Sequence, residues 1–122
     1  MMVQLAQKMK AGEAPRIFKH GEQMRDFVYV KDIISFTLAA ATAPASGIYN
    51  AGSGAPRPFN DVITNLNRVL GTQLDPVYID NPYPFYQPHT EADLTQTIRA
   101  LKTKPQFTLE KGMDDYLASG WL

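Results

Sequence analysis

The chain has 122 residues, of which 44% are hydrophobic and 20% charged, a balance typical of a globular protein with one modest core. Twelve basic and twelve acidic residues cancel, so no net field attracts nucleic acid or an anionic membrane. The absence of cysteine excludes disulfides, and two histidines, His20 and His89, are too few for the usual metal sites. No apolar run approaches the roughly 20 residues of a membrane span. We therefore expect a cytoplasmic domain that meets a small molecule or a protein.

The first third of the chain predicts two helices and two strands. Apolar residues at helical spacing precede a glycine stop at Gly12: Met2, Leu5, Ala6 and Met9. Because no capping residue precedes this helix, we expect the chain to be cut from something longer. Residues 16–18 and 26–30 predict short strands, since the second is rich in β-branched and aromatic residues. Asp32 stands where the N-cap of the next helix is expected, and Pro44 ends that helix.

The middle of the chain predicts a strand, a turn and a well-marked amphipathic helix. Residues 47–50 have the pattern of a strand, and residues 51–54 that of the turn that follows it. One apolar face then precedes a stop at Gly71: Val62, Ile63, Leu66, Val69 and Leu70. Residues 77–79 predict another short strand.

The last third predicts an irregular loop and two helices. The three prolines in residues 81–88 prevent regular structure there. Asp93 and Gln96 match a capping box, and Thr108 is expected to cap the last helix. The fold class is therefore α+β, with three or four short strands interleaved with four or five helices.

The segment Arg-Asp-Phe-Val-Tyr-Val-Lys-Asp at residues 25–32 is the most informative. An arginine entering a strand presents a rigid fork of donors suited to a diphosphate, although pattern alone favours an ordinary surface arginine at the end of a strand. The segment resembles a hallmark of the extended short-chain dehydrogenase/reductase family, the NAD-dependent epimerases and dehydratases that act on nucleotide sugars. The resemblance implies that Arg25 grips the substrate phosphates, that Asp32 starts the next helix, and that Asp26 and Asp32 are structural.

A second segment, Gly-Ile-Tyr-Asn-Ala-Gly-Ser-Gly at residues 47–54, resembles another motif of this family. Glycines before a helix can cradle a phosphate, but this segment lacks the third glycine of a dinucleotide fingerprint, so a structural turn is the preferred interpretation. Pro58 stands where the family places a capping serine or threonine. Either Asn60 takes over the cap, or Pro58 occupies the first helical position.

A third segment, residues 86–95, resembles a stretch found in the ADP-heptose epimerases of the family. Residues 81–83 and 18–21 fit the same subfamily. The resemblance implies substrate contacts, residue by residue, from Phe18, Lys19, His20, Gly21, Arg25 and Tyr86. Tyr86 could equally be a core aromatic held by neighbouring prolines, and His89 is assigned no role.

The resemblance covers the whole chain but only the carboxy-terminal part of a family member. Such enzymes carry a Rossmann half with Gly-x-x-Gly-x-x-Gly and a Tyr-x-x-x-Lys pair. Neither motif is present. No three glycines have the required spacing, and none of the six tyrosines is followed by a lysine four residues later. We therefore expect residues 1–122 to be a single substrate-binding domain without catalytic, cofactor-binding or metal-binding residues, not competent alone. NADP is implied for the complete enzyme, an isomerase that inverts the sixth carbon of a heptose for the lipopolysaccharide core.

Two alternatives remain open at this stage. The chain could be a non-enzymatic module that self-associates through its first helix and the helix beginning near Asp32, because a surface without its Rossmann half exposes apolar residues. It could also be part of a UDP- or dTDP-sugar epimerase or dehydratase. The expected partners are an ADP-sugar and either a second copy or the missing half, with no nucleic acid and no membrane.

Overall fold

The computed structural model describes residues 2–44 and 46–120, without the side chain of Lys19. Within these ranges five helices and four short strands alternate, in agreement with the predicted α+β architecture. The elements are α1 Met2–Lys10, β1 Arg16–Phe18, β2 Met24–Arg25, α2 Val30–Ala41, β3 Arg57–Pro58, α3 Phe59–Leu70, β4 Val77–Ile79, α4 Thr95–Leu101 and α5 Leu109–Ala118. A 3₁₀ turn, Lys19–Gly21, joins β1 to β2.

The strands form two separate pairs. β1 runs parallel to β4, with Ile17 opposite Tyr78, so the predicted strands at 16–18 and 77–79 are confirmed. β2 runs antiparallel to β3, with Met24 opposite Pro58. The turn Lys19–Gly21 contacts β1, β4 and α3, and the candidate site lies beside the residues of β1 and β2 on either side of this turn.

The predicted strand at residues 26–30 is wrong. Extended pairing stops at Arg25, and Val30 already begins α2, whose first carbonyl, that of Tyr29, accepts the N–H groups of Asp32 and Ile33. A strand needs a neighbouring ladder, and residues 26–29 have none in the described part of the chain. Their β propensity is therefore overridden by tertiary contacts of Asp26 described below.

The predicted strand at residues 47–50 is also wrong. The segment lies outside every strand pair of the described residues, and the side chain of Ile48 is 91% exposed. The preceding helix α2 ends at Ala41, before Pro44, because a proline disfavours helical conformation in the residue ahead of it.

The core lies where α1, α3 and β1 meet α5. The side chains that fill it are Ala6, Met9, Ile17, Val62, Ile63, Leu66 and Met113. The predicted apolar face of α3 is confirmed, since Val62 and Leu66 are completely buried. The predicted stop is confirmed too, because Gly71 adopts a φ of 67° and donates its N–H to the carbonyl of Asn67. Burying a leucine such as Leu66 stabilises the fold by about 1.5–3 kcal/mol.

Three of the four predicted helix starts need correction. Thr108 does cap α5, accepting the N–H of Lys111 at 3.3 Å. Asp32 is not an N-cap: it lies inside α2, only 2% exposed, and accepts the N–H groups of Gln106 and Phe107 at 2.8 and 3.1 Å. Its carboxylate thus ties α2 to the segment before α5 instead of satisfying its own helix.

The starts of α3 and α4 also differ from the predictions. Pro58 is itself the N-cap of α3, without a side-chain bond, and Asn60 lies inside the helix, where it donates to the carbonyl of His20 at 2.7 Å. At α4 the capping box does not form. The helix begins at Thr95, whose N–H is accepted by the Asp93 carboxylate at 2.9 Å. The bond from Asn60 to His20 still orients the start of α3, and the bond from Thr95 to Asp93 still orients the start of α4.

Candidate functional site

A cavity of about 820 Å³ opens between α1 and the junction of β1 with β2. Its wall includes Phe18, Gln23, Arg25 and Tyr86, together with the outer face of α1. A volume of this size lies within the range of about 300–1,000 Å³ that is typical of small-molecule sites. The cavity therefore brings together residues from the beginning, the middle and the last third of the chain.

Arg25 is half-buried in this cavity and has no carboxylate partner among the described residues. Its Nη1 donates to the carbonyl of Met24 at 2.7 Å, and its Cζ lies 5.0 Å from the ring centroid of Tyr86. A guanidinium group has five N–H donors in a rigid fork, so most of these donors are left for a ligand. The aromatic face fixes the plane of the fork.

Tyr86 is held in place by ring contacts and by the chain that follows it. Phe18 packs edge-on against it at 6.2 Å, and against Tyr83 at 6.1 Å. Two backbone bonds anchor the same loop to β2: Met24 donates to the carbonyl of Pro88 at 2.9 Å, and Thr90 donates to the carbonyl of Met24 at 3.2 Å. The aromatic loop is thus anchored directly beside Arg25.

Positive charge predominates in the cavity wall, although the chain as a whole is neutral. Lys8, Arg16 and Arg25 line the cavity, against a single carboxylate, that of Glu13. Apolar surface from Leu5 adds to the aromatic rings. Cationic groups beside aromatic rings suit a ligand that carries both an anion and a flat ring.

Of the predicted site residues, Phe18, Arg25 and Tyr86 line the cavity, whereas His20 and Gly21 do not. His20 is exposed, adopts a φ of 45°, and has its ring 5.8 Å from that of Tyr78. Gly21 is buried with a φ of 68°, and a Cβ there would lie 2.1 Å from Oδ1 of Asn60. Gly21 thus shapes the turn, and the side chain of Lys19 lies outside the described residues.

Sequence reasoning missed the contribution of α1 and of Gln23. Three polar residues of α1 that line the cavity follow helical spacing, and they are Gln4, Gln7 and Lys8. This polar face is opposite the apolar face that identified the helix. The amphipathic pattern of α1 could therefore have indicated which of its residues lie outside the core. Gln23 precedes Arg25 by two residues, and alternation along extended chain directs both to the same side.

The carboxylate of Asp26 organises the backbone behind the cavity. It accepts the N–H and hydroxyl of Ser53, both at 2.6 Å, and the N–H groups of Gly54 and Ala92 at 3.0 and 2.9 Å. Burial opposes ionisation, but the hydrogen bonds from Ser53, Ala92 and Gly54 outweigh it and lower the pKa of Asp26. The residue thereby links three distant segments.

The turn at residues 52–54 does not fit a dinucleotide phosphate. The N–H groups of Ser53 and Gly54, which a phosphate would need, already donate to Asp26. Gly52 is required for the same close approach, because a Cβ there would lie 2.5 Å from that of Ala92. The contacts therefore support the structural interpretation of this turn, and no chemistry of NAD(P) is assigned to it.

No group of three or more His, Cys, Asp or Glu side chains in the described ranges could hold a metal ion. None of the helices in residues 2–44 and 46–120 is long and apolar enough to cross a membrane.

Comparisons with known proteins show which proteins this chain resembles. Residues 1–52 match the model of the NAD dependent epimerase/dehydratase family. The ADP-L-glycero-D-manno-heptose-6-epimerase of Helicobacter pylori is 39% identical, with a TM-score of 0.87 over 98% of this chain and 37% of its own. The UDP-glucose 4-epimerase of Thermotoga maritima, solved with UDP-glucose, is 27% identical, with a TM-score of 0.86 over 99% and 40%.

A third structure extends the same likeness. The UDP-N-acetylglucosamine 4-epimerase of Methanobrevibacter ruminantium, in complex with UDP-N-acetylmuramic acid, is 26% identical, with a TM-score of 0.84 over 99% of this chain and 37% of its own. The chain therefore belongs to the NAD-dependent epimerase/dehydratase family, within the extended short-chain dehydrogenases. It spans 37–40% of the length of these solved relatives.

Proposed function

We propose that this chain is the carboxy-terminal, substrate-binding portion of an NAD(P)-dependent nucleotide-sugar epimerase whose substrate is an ADP-heptose or a similar ADP-sugar. Arg25 binds the diphosphate, and Tyr86 and Phe18 border the nucleotide sugar. The observation that carries the proposal is the half-buried guanidinium of Arg25, which has a fixed orientation over Tyr86 and no carboxylate partner among the described residues.

The choice of ADP-heptose is supported by the 39% identity to the heptose epimerase of Helicobacter pylori. UDP-sugars are the competing substrates, because two of the other relatives are UDP-sugar epimerases. Reaction at the sugar would need an acid–base group within hydrogen-bond reach of the reacting oxygen. The chain has no Tyr-x-x-x-Lys pair, so we propose that it binds substrate and does not epimerise it alone.

The experiment is a calorimetric titration of the chain with ADP-mannose, ADP-heptose and UDP-glucose. Arg25→Ala is expected to weaken binding of the ADP-sugars about 10- to 100-fold, since hydrogen bonds to charged groups contribute about 1.5–3 kcal/mol. Arg99→Ala is the matched control, because Arg99 is exposed on α4 and lies outside the cavity. Micromolar binding unaffected by Arg25→Ala would contradict the phosphate role.

A second candidate function is that of a self-associating module, and an exposed apolar stripe on α2 favours it. Val30, Ile34 and Leu38 follow one another at four-residue spacing and are 53%, 51% and 65% exposed. The stripe could be covered by a second copy or by the remaining part of an epimerase. Sedimentation equilibrium tests the first case: Leu38→Glu should dissociate a dimer, and a wild type that stays monomeric excludes this candidate.

A further inference from the structure

The two strand pairs of the fold carry different parts of the proposed site. Phe18 ends β1, which pairs with β4, and Arg25 ends β2, which pairs with β3. No backbone ladder joins the two pairs among the described residues, so the position of Phe18 relative to Arg25 depends in part on the turn between them, Lys19–Gly21. That turn contacts the start of α3, the helix that follows β3 directly.

Asn60, in the first turn of α3, bonds both to this turn and to β4. Its Nδ2 donates to the carbonyl of His20 at 2.7 Å, and its Oδ1 accepts the hydroxyl of Tyr78 at 3.2 Å. The ring of Tyr78 lies 5.8 Å from the ring of His20, so the three contacts close a cycle. Because each polar atom of the carboxamide has a partner, the cycle fixes which way the amide faces.

The conformation of the turn explains why it needs this support. His20 has a φ of 45° and a ψ of 6°, in the left-handed region where a residue with a Cβ is strained. Gly21 follows with a φ of 68° and fits between Asn60 and Ile17 only because it lacks a Cβ. Strained backbone of this kind persists where surrounding contacts hold it, and it is concentrated at ligand sites. The bond from Asn60 to the carbonyl of His20 is such a contact.

From this geometry we propose that Asn60 is a positioning residue of the nucleotide-sugar site. It lies outside the cavity wall and acts through the turn. By keeping His20 in the left-handed conformation, it holds Phe18 where a ligand bound to Arg25 meets the Phe18 ring. The inference rests on the proposed function, which supplies that ligand. It adds that affinity depends on a residue of α3 that makes no contact with the ligand.

The overall packing of the chain does not depend on Asn60. Ile17 of β1 shares the core with Val62 and Leu66 of α3, whereas both hydrogen bonds of Asn60 lie at the surface. Loss of these bonds should therefore leave the chain folded while the turn populates other conformations. The apparent affinity for the ligand then falls with the fraction of chains whose turn is in the binding conformation.

The test is a calorimetric titration of the full chain with ADP-mannose. Asn60→Ala should weaken binding about 2- to 10-fold, the factor by which the loss of one net hydrogen bond shifts the turn equilibrium. Tyr78→Phe keeps the ring beside His20 and removes only the bond to Oδ1 of Asn60, so it should weaken binding by a smaller factor. Asn50→Ala is the matched control and should bind like the wild type. The amide of Asn50 also donates to a distant backbone carbonyl, that of Asp93, at 3.0 Å and lies outside the cavity wall.

Rescue by glycine distinguishes a positioning role from a general loss of stability. Glycine adopts a positive φ without strain, so in the double variant Asn60→Ala/His20→Gly the turn can keep its conformation without the bond. The affinity of the double variant should therefore return toward that of the wild type. His20→Gly alone should bind like the wild type, because its carbonyl still accepts from Asn60. A purely structural role of Asn60 predicts no such recovery.

The possible outcomes separate this inference from the proposed function. If Asn60→Ala binds ADP-mannose as tightly as the wild type, or if His20→Gly fails to restore the lost affinity, the positioning role is overturned. A loss of affinity in Arg25→Ala would then leave the phosphate site standing. If the wild type binds no ADP-sugar, the proposed function is overturned and this inference with it.

Discussion

The guanidinium carbon of Arg25 lies 5.0 Å from the ring centroid of Tyr86, a residue that is distant from it in the sequence. The contact depends on the two backbone bonds between Met24 and the segment at Pro88 and Thr90. The stacking of Arg25 on Tyr86 and the backbone bonds of Met24 therefore reinforce each other, because both hold the segment after Tyr86 against β2. The pair is the structural centre of the proposed site.

The stacking predicts a difference between two substitutions of Tyr86. Tyr86→Leu removes the aromatic face and should weaken ADP-sugar binding about 2- to 30-fold, whereas Tyr86→Phe keeps the face and should stay near wild type. Phe85→Leu is the control, since Phe85 is an aromatic residue of the same loop that is 94% exposed and lies outside the cavity wall. Calorimetric titration measures all three, and equal losses for Leu and Phe would show that the hydroxyl, not the ring, matters.

The buried carboxylate of Asp32 predicts a stability effect far from the cavity. Asp32→Ala leaves the N–H groups of Gln106 and Phe107 without acceptors, which should lower the free energy of unfolding by about 2–4 kcal/mol. Asp32→Asn keeps one acceptor and should cost less. Asp75→Ala, at an exposed position, should stay within about 0.5 kcal/mol of wild type.

Urea denaturation at neutral pH measures these Asp32 variants. If Asp32→Ala unfolded at the same urea concentration as Asp75→Ala, the tether between α2 and the segment before α5 would be energetically unimportant.

The close approach at Gly52 predicts a steric effect that a second substitution relieves. In Gly52→Ala the new Cβ would lie 2.5 Å from that of Ala92 and 2.9 Å from Oδ2 of Asp26, so the turn must shift and the protein should lose about 1–3 kcal/mol. The double variant Gly52→Ala/Ala92→Gly removes the nearer clash and should recover part of the loss. Thermal unfolding of both variants checks this, and an absence of recovery would locate the strain elsewhere.

Glu110 predicts an acid-dependent loss of stability. A hydrogen bond from its own backbone N–H, and then the bond from Arg57, lower its pKa from 4.5 to about 2. Above pH 4.5 the carboxylate is charged in both states and its stabilising contribution is complete. As the pH falls from 4.5 to 2, the unfolded chain takes up a proton that the folded chain does not, so this contribution is lost.

Replacement of Glu110 by Gln removes that titration. The free energy of unfolding of Glu110→Gln should therefore fall less between pH 6 and pH 3 than that of the wild type. Urea denaturation at the two pH values measures the difference. Because the side chain of Glu110 is 37% exposed, solvent screening keeps the effect small, and Glu22→Gln at an exposed position is the comparison. Identical pH dependence in Glu110→Gln and wild type would contradict this assignment.

Local pattern was sufficient for α1, α3 and the paired strands β1 and β4. Their apolar spacing matches the core they enter, and glycines with positive φ stop α3 and follow α1 at Gly12. It failed at residues 26–30, where strand propensity is high but the Asp26 carboxylate holds the chain against residues 53, 54 and 92. No local pattern reveals that contact, because its partners come from distant parts of the sequence.

The residues of the candidate site also differ in whether the sequence could predict them. Phe18, Arg25 and Tyr86 could be nominated because motifs carry them, and the structure brings these three together around one cavity. Gln23 could not, since no motif carries it and only the packed fold reveals its place in the cavity wall. The position of His20 outside the wall follows from the φ of 45° in the turn, which turns its ring toward Tyr78.

The two bonds that hold Met24 to Pro88 and Thr90 have a consequence for how this family can diversify. They fix the carboxyl-terminal end of the loop at residues 81–88. Because they are bonds between main-chain atoms, they do not depend on which side chains the loop carries. Residues between Asn81 and Gln87 could therefore be exchanged for those of another sugar specificity while Arg25 keeps its place. If Arg25 and this loop act as proposed, grafting a different segment at residues 81–87, between β4 and these two bonds, should change substrate choice without moving Arg25.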